Sequence, residues 1–154
     1  MAFKRSFLIT MIKILFVCHG NICRSPMAEY ILKDRIKKYN LDIYTESRAT
    51  SYEEEGNDIN LHAKEVLNKY HIKYDRHKAK RITQKDYEKF DYILYMEEYN
   101  LNNIKRIIID KDNKVRKLCI SDIEDPWYTG NYEKVFKEIS EGIDSLLKEL
   151  KLID

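Results

Sequence analysis

The sequence predicts an α/β fold: a single domain with a four-stranded parallel, doubly wound sheet and helices on both faces. Short apolar runs alternate along the chain with segments of helical periodicity, which is typical of parallel βαβ units. The first run, Ile12–Val17, is almost continuously apolar, as a central strand covered on both faces requires. The length of 154 residues, 44% of them hydrophobic, suits one core. We therefore expect one domain over residues 11–154, with residues 1–10 as an N-terminal extension, either an upstream start or a tag.

The first predicted helix follows the loop after this strand and runs to about Tyr39. Pro26 suits the first helical turn, where its missing N–H is not needed, and Glu29 favours the positive end of the helix dipole. The apolar residues at helical spacing are Ala28, Ile31, Leu32, Ile36 and Tyr39. Asn40 is the expected C-cap. The second strand is predicted over Leu41–Arg48, where apolar and polar residues alternate.

The middle of the chain predicts a loop, two helices and a third strand. Residues Ala49–Asn60 are rich in small and acidic side chains and are interpreted as a loop. A helix over Leu61–Tyr70 follows, and Thr83 is placed to cap a short helix that ends at Phe90. The apolar run Tyr92–Met96 is then the third, buried strand.

The last third of the chain contains the one ambiguous segment. The isoleucines at 107–109 favour a strand, but parallel strands need a crossover helix, so we interpret residues 97–109 as helix. Val115–Ile120 is the fourth strand, and Ser121–Gly130 is a loop. Asn131 is expected to cap the final helix. The predicted core stripe of that helix is Tyr132, Val135, Phe136, Ile139, Ile143, Leu146, Leu147 and Leu150.

The loop between the first strand and the first helix is the most informative segment, with the sequence Cys-His-Gly-Asn-Ile-Cys-Arg-Ser at positions 18–25. In parallel sheets, ligands bind beyond the carboxyl ends of the strands. If this loop curls, its backbone N–H groups point inward and bind an anion at the helix N-terminus. Those N–H groups, the helix dipole and Arg24 all favour the thiolate form of Cys18. Arg24 can also bind two phosphoryl oxygens at once. The loop therefore predicts cysteine-dependent phosphoryl transfer.

The remaining residues of the loop also fit an anion cradle. Gly20 and Asn21 tolerate left-handed backbone conformations, which a curled loop requires. Ser25 either hydrogen-bonds the thiolate or caps the helix, and the two roles are compatible. His19, Ile22 and Cys23 complete the predicted phosphate-binding loop. A nucleotide-binding P-loop is excluded, because Gly-x4-Gly-Lys-Ser/Thr does not occur in the sequence.

The amino-acid composition limits which binding partners and which cellular compartment are expected. A net charge of +2, from 28 basic and 26 acidic residues, gives no support for nucleic-acid or membrane binding. Three cysteines, two of them in one loop, do not form a disulfide framework and indicate a reducing compartment. We expect a cytoplasmic location, with secretion left open by the apolar N-terminus. No metal is expected, because zinc-ligand spacing is absent from the sequence.

At this point the sequence resembles the low-molecular-weight protein tyrosine phosphatases. Residues 17–26, from Val17 to the proline after Ser25, match the signature of that family. The resemblance covers residues 11–150 and includes the pairs Thr50-Ser51 and Gly56-Asn57, the run Phe90–Met96 and the run Asp125–Tyr128. It implies a phosphocysteine mechanism without metal or organic cofactor. It also implies phosphotyrosine-containing proteins or peptides as substrates, inorganic phosphate as product, and a monomer or weak dimer.

The general acid cannot be chosen from the residues alone. A lone Asp-Pro pair such as Asp125-Pro126 is more often a simple turn than a catalytic site. The resemblance reverses this preference, because the family's general acid precedes proline in a late loop. Asp125 is then expected to protonate the leaving group and later to activate water. Asp122 and Glu124 are the weaker candidates.

The resemblance also implies supporting residues around the loop. His71 matches a family histidine that contacts the loop through Asn21 and Ser25, and Ser47 matches a family position near it. Cys23 matches a family cysteine that forms a reversible disulfide with the nucleophile. Cys119, in the fourth predicted strand, is interpreted as a small buried apolar residue.

Two walls are expected around a slot deep enough for phosphotyrosine. Trp127 and Tyr128 either form one wall by ring stacking or simply pack in the core. In the family the opposite wall carries an aromatic residue, and here Glu53 occupies that position with Tyr52 beside it. The three consecutive glutamates at 53–55 should repel acidic peptides, so basic or neutral flanking residues are expected.

Three alternatives to phosphotyrosine hydrolysis remain at this stage. Phosphoarginine phosphatases resemble this chain but carry threonine where this chain has Ile22, which favours tyrosine here. Thiol-linked arsenate reduction needs a distal pair of cysteines, and only Cys119 lies outside the loop. A non-catalytic phosphopeptide binder is expected to lack Cys18, Arg24 or the acid, and all three are present.

Overall fold

A computed structural model describes residues 11–154, and the predicted extension at residues 1–10 lies outside the described residues. The strands are β1 (Ile12–Cys18), β2 (Ile43–Ala49), β3 (Tyr92–Tyr95) and β4 (Val115–Lys117). The helices are α1 (Arg24–Tyr39), α2 (Leu61–Lys69), α3 (Gln84–Lys89), α4 (Glu98–Ile107), α5 (Pro126–Thr129) and α6 (Tyr132–Glu149). None of these helices combines the length and the apolar character that crossing a membrane requires.

The sheet places the loop after β1 at its centre. All strand pairs are parallel, in the order β2-β1-β3-β4. Cys18 at the end of β1 pairs with Ala49 at the end of β2, and Val17 pairs with Tyr95 at the end of β3. The carboxyl ends of three strands therefore meet at one edge, which confirms the predicted fold class.

Alternate residues of β1 face two separate cores. Ile14 and Phe16 belong to a core that α1, α2 and α6 cover, whereas Leu15 and Val17 belong to a core beside α3 and α4. All four side chains are fully buried. The continuous apolar run thus follows from burial on both faces. The predicted stripe of α6 is buried up to Leu147, and Leu150 packs against the same core.

Local signals for helix ends agree well with the structure. The Thr83 hydroxyl accepts from the Asp86 N–H, and the Asp86 carboxylate accepts from the Thr83 N–H, which forms a capping box. Asn40 ends α1 with a left-handed φ of 52°. The ambiguous segment is helical through Ile107, so the crossover argument predicts it correctly.

Two boundaries near the carboxyl edge differ from the predictions. β4 ends at Lys117 rather than Ile120, and the Ile120 side chain is fully exposed because the chain leaves the sheet before it. The predicted loop at 121–130 contains α5, which begins at Pro126 and ends with Gly130 in a left-handed conformation (φ 77°).

Asn131 precedes α6 but makes no side-chain capping bond, because its amide donates to the Glu124 carboxylate at 3.0 Å.

Candidate active site

The loop at 18–25 curls around the sulfur of Cys18. The backbone N–H groups of Asn21 and Ser25 donate to Cys18 Sγ at 3.3 and 3.4 Å. The Ser25 hydroxyl oxygen lies 3.0 Å from the same sulfur. Asn21 adopts a left-handed φ of 61°, which asparagine tolerates better than most residues, and this turn directs its N–H inward. The sulfur therefore has three hydrogen-bond donors available to its anionic form.

The Asn21 side chain organises the loop from behind. Its amide nitrogen donates to Ser25 Oγ at 2.8 Å and to Ser47 Oγ at 2.9 Å, and its amide oxygen accepts from the Lys80 N–H at 3.1 Å. Since Asn21 already donates to Ser25 Oγ, the Ser25 proton is left for one of two acceptors, Cys18 Sγ at 3.0 Å or the Arg48 carbonyl at the longer distance of 3.4 Å. The structure thus brings Ser47 to the loop, as the sequence analysis expects.

Ser47 in turn contacts a buried carboxylate. Its hydroxyl donates to Glu29 Oε1 at 2.6 Å, and Lys33 Nζ donates to Glu29 Oε2 at 2.6 Å. Sequence reasoning gives Glu29 only a helix-dipole role and misses this second function. The chain Glu29–Ser47–Asn21 satisfies polar groups that would be costly to bury unpaired.

The histidine that contacts the loop is His77, so the expectation for His71 is wrong. His77 is buried, and its Nε2 donates to the Asn21 carbonyl at 2.7 Å. His71 is exposed and follows the end of α2 with a left-handed φ of 58°. After His71 the chain runs back in an extended conformation beside the loop and the end of β2. There the N–H of Ala49 donates to the Lys80 carbonyl. This return path brings His77 to the loop.

Arg24 is buried and held by three acceptors. Its Nη1 donates to the Ile123 carbonyl at 2.9 Å and to the Glu97 carboxylate, and its Nη2 lies 3.3 Å from Asp125 Oδ2. Sequence reasoning misses Glu97, which caps α4 immediately after β3. The signal that could have identified Glu97 is its place after the third predicted strand, because that strand ends at the same sheet edge as the loop. These contacts fix the guanidinium plane beside the loop.

Asp125 lines the same cleft as Cys18 and Arg24. It is the N-cap of α5, and its Oδ1 accepts from the Trp127 N–H at 3.0 Å. Its other oxygen points to Arg24, and its side chain is 22% exposed. The cap therefore orients the carboxyl group toward the phosphate-binding loop.

The two weaker candidates for the acid have other partners. Asp122 Oδ1 lies 2.6 Å from Lys117 Nζ and also accepts from the Glu98 N–H. Glu124 binds Lys134, and this ion pair lowers the pKa of Glu124 to about 2. A carboxylate held ionised in this way is a poor proton donor at neutral pH.

A cleft of about 360 Å³ opens above the loop. Trp127 and Tyr128 line it with side chains that are 58% and 81% exposed, so they do not pack in the core. Glu53 and Glu54 line it as well, and the sequence analysis does not assign Glu54 to the cleft wall. Gly20 permits the approach of Glu54, because an added Cβ would lie 3.3 Å from Glu54 Cγ.

Tyr52 does not line this cleft, so its predicted role as a wall is wrong. Its hydroxyl accepts from Arg81 Nη1 at 3.0 Å, and the Arg81 guanidinium lies 4.6 Å from the centre of its ring. This cation–π contact holds the ring outside the cleft.

Cys23 is buried within the loop, and its thiol donates weakly to the Tyr132 hydroxyl at 3.9 Å. Burial, followed by the negative charge of the Cys18 thiolate, raises the pKa of Cys23 to about 12. The thiol of Cys23 therefore stays protonated at neutral pH and is a poor nucleophile there.

The raised pKa of Cys23 predicts a loss of stability in alkali. An unfolded thiol ionises near pH 9.0, whereas the folded thiol keeps its proton up to about pH 12. Between these values only the unfolded state gains from ionisation, so stability falls as pH rises. We expect the free energy of unfolding to be lower at pH 10 than at pH 8. This decrease should be about 1.4 kcal/mol larger in wild type than in Cys23→Ala.

Chemical denaturation at the two pH values tests this prediction. Cys119→Ala is the comparison variant: partial burial raises the pKa of Cys119 too, so its removal should reduce the alkaline loss of stability, but by less than removal of the buried Cys23. Equal pH dependence in wild type and Cys23→Ala would show that the Cys23 thiol ionises as freely in the folded protein as in the unfolded chain.

A buried cysteine sulfur in an N–H-lined loop, with a buried arginine and an aspartate at one sheet edge, is the arrangement expected of a cysteine-dependent phosphatase on an α/β fold. The sequence profile of the family described as low molecular weight phosphotyrosine protein phosphatase matches residues 13–152. The chain therefore belongs to this family.

Relatives of known name and structure agree with this assignment. The low molecular weight protein-tyrosine-phosphatase YfkJ of Bacillus subtilis is 34% identical over 151 residues, covering 92% of this chain and 97% of YfkJ. PtpA of Staphylococcus epidermidis is 38% identical over 144 residues, with 89% and 92% covered. The crystal structure of YfkJ superposes with a TM-score of 0.88 at 33% identity, covering 93% and 96% of the chains. That of SP-PTP from Streptococcus pyogenes has a TM-score of 0.84 at 38% identity, covering 91% and 93%.

Proposed function

We propose that this enzyme hydrolyses phosphotyrosine in proteins or peptides through a phosphocysteine intermediate and releases inorganic phosphate. One observation carries the proposal. The Cys18 sulfur receives two backbone N–H groups and faces the Ser25 hydroxyl in a cleft that Arg24 and Asp125 also line. This arrangement combines a stabilised thiolate, a phosphate clamp and a proton donor within one cavity.

In the first step the Cys18 thiolate attacks phosphorus, and a P–S bond forms as the P–O bond to tyrosine breaks. Arg24 and the loop N–H groups bind the non-bridging phosphoryl oxygens and stabilise the charge that develops there. Asp125 gives its proton to the departing phenolic oxygen, whose conjugate acid has a pKa near 10 in solution.

In the second step water attacks the phosphocysteine. The Asp125 carboxylate, now without its proton, accepts a proton from the water, and the P–S bond breaks to release phosphate. The electron pair of that bond returns to Cys18 as a thiolate, which the Ser25 hydroxyl stabilises by a hydrogen bond.

The shape of the cleft favours phosphotyrosine over shorter phosphoresidues. Cys18 is only 3% exposed and lies at the base of the cleft, while Trp127 and Tyr128 stand at its mouth. A phenyl ring can reach this depth and stack on an aromatic side chain, whereas phosphoserine is too short. Ile22 also lines the cleft and adds apolar surface near the substrate ring.

The test is a comparison of phosphotyrosine, phosphoserine and phosphoarginine peptides of the same backbone sequence, with phosphate release as the measurement. We expect rapid hydrolysis of the phosphotyrosine peptide and background rates for phosphoserine. A higher kcat/KM for phosphoarginine than for phosphotyrosine would favour the arginine phosphatase alternative instead.

The proposal also covers the cellular location of the protein, its domain bounds and its oligomeric state. The catalytic thiol must stay reduced, and Cys18, Cys23 and Cys119 are all free thiols in the structure, which favours a cytoplasmic location. We assign residues 11–154 to the phosphatase domain, treat residues 1–10 as an extension, and expect a monomer or weak dimer.

A further inference from the structure

A second groove of about 450 Å³ opens beside the catalytic cleft, and we call it the side groove. Glu53 and Tyr128 line both cavities, so the groove continues from the cleft at its rim. Glu97, Tyr99 and Glu124 line the side groove but not the cleft. The side groove therefore combines aromatic surface with carboxylates, directly next to the position of the substrate phosphate.

Glu53 stands on the rim that the two cavities share. Its carboxylate binds Nε2 of His19, and the His19 ring packs against Tyr99 with 5.7 Å between ring centres. The Glu53 side chain is 67% exposed, and its Oε1 has no hydrogen-bond partner among residues 11–154. Glu53 is thus oriented by His19 while one carboxylate oxygen remains available to a ligand.

The charges of the side groove change when phosphate enters the loop. Glu97 and Asp125 both contact the Arg24 guanidinium. A bound phosphate dianion adds two negative charges and shares the same guanidinium. Even when Asp125 carries the proton that the proposed first step requires, the phosphate dianion and the carboxylates of Glu97 and Glu53 outnumber the single positive charge of Arg24.

The other carboxylates do not reverse this balance. Glu124 is paired with Lys134, so that pair is close to neutral. Glu53 has only His19, which carries a positive charge only when protonated. An occupied cleft therefore lies beside a groove with an excess of negative charge, which attracts a cation.

The two tyrosines suit the hydrocarbon part of a cationic side chain. Tyr99 is 55% exposed and Tyr128 is 81% exposed, so both rings are accessible in the groove. Lysine and arginine place their methylene groups on apolar surface and their charged ends near carboxylates, and both also interact with aromatic faces. Ring faces and carboxylates together distinguish this groove from a purely acidic surface.

We propose that the side groove binds the side chain of a lysine or arginine adjacent to the substrate phosphotyrosine. The inference rests on the proposed phosphotyrosine hydrolysis and narrows its substrate class to basic-flanked phosphotyrosine peptides. Adjacent Cα atoms lie about 3.8 Å apart, so a long neighbouring side chain can reach from the cleft into a groove that shares its rim. Glu53 and Tyr99 are the residues that set this preference.

The experiment compares phosphotyrosine peptides that differ only in one residue next to the phosphotyrosine, which is lysine, glutamine or glutamate. Both flanking positions are varied in turn, and kcat/KM is measured for each peptide. At low salt we expect the wild type to favour the lysine peptide over the glutamate peptide by about tenfold at one flanking position. Added salt should reduce this ratio, because partly exposed charges are screened.

Two variants locate the preference. Glu53→Gln should reduce the lysine-to-glutamate ratio about threefold, and Tyr99→Leu should reduce the advantage of lysine over glutamine. Glu55→Gln is the matched control, because it removes the same charge from the same loop but lines neither cavity. Its ratio should equal that of wild type. Each ratio compares two peptides on one protein sample, so a partial loss of folded protein cancels.

The outcomes separate this inference from the function on which it rests. Equal kcat/KM values for the lysine and glutamate peptides, or equal changes in Glu53→Gln and Glu55→Gln, would overturn the side-groove proposal and leave phosphotyrosine hydrolysis intact. Failure to hydrolyse any of these phosphotyrosine peptides would overturn the proposed function, and the side-groove proposal with it.

Discussion

Replacing Cys18 by serine is expected to lower the rate of aryl phosphate hydrolysis by about 10⁴-fold or more. The loop presents N–H groups and the Ser25 hydroxyl to the atom at this position, and these stabilise an anion. A thiol is a much stronger acid than a serine hydroxyl, which stays protonated near neutral pH and is a weak nucleophile. The substitution removes the nucleophile while changing one atom, so the loop should retain its shape.

Initial rates on an aryl phosphate without added metal check this expectation, and inorganic phosphate binding shows whether the loop of the variant is intact. Cys119→Ser serves as the control, since Cys119 contacts the Glu138 carbonyl at 3.5 Å and lies outside the cleft. Rapid quenching with excess substrate should trap phosphoryl groups covalently bound to wild type and none on Cys18→Ser. Substantial activity in Cys18→Ser would exclude the phosphocysteine intermediate.

Replacing Asp125 by asparagine is expected to lower the rate by about 10²–10⁴-fold on substrates with poor leaving groups. Phenols with a pKa near 10 need a proton as they depart, whereas more acidic phenols leave as anions. Asparagine is chosen because it caps helices about as well as aspartate, so the bond from the Trp127 N–H should survive. The substitution therefore removes the proton without unwinding α5.

The measurement is the dependence of the rate of phosphoenzyme formation on leaving-group pKa, in wild type and in Asp125→Asn. We expect the variant to lose most activity on the least acidic phenols and least on the most acidic ones. Asp122→Asn is the control, because Asp122 is paired with Lys117 and does not line the cleft. A uniform loss across all leaving groups would argue against an acid role for Asp125.

The loop and most of the sheet could be predicted because their signals are local. Cys18 and Arg24 belong to one short segment, so their proximity follows from chain connectivity. The strand Ile12–Val17 is recognisable because burial on both faces requires a continuous apolar run. The capping signal at Thr83 is likewise contained within one helical turn.

The supporting residues of the site could not be predicted in the same way. Glu97 and Tyr99 approach the loop only because β3 lies beside β1 and ends at the same edge. His77 replaces the expected His71 because the chain after α2 returns along the loop in an extended path, and residue spacing does not reveal such a path. Tyr52 leaves the cleft because Arg81, brought close by that same returning chain, holds its ring.

The sequence by itself determined which groups lie at the base of the cleft: a cysteine, an arginine six residues after it, and a curled loop at the end of a central parallel strand. Tertiary structure alone decided what surrounds that loop. It placed Glu97 and Asp125 on Arg24, His77 on Asn21, and Glu53 on His19 at the rim of the side groove. The physical reason is that backbone geometry within one turn follows from local residue types, whereas contacts between strand ends depend on how the whole sheet packs.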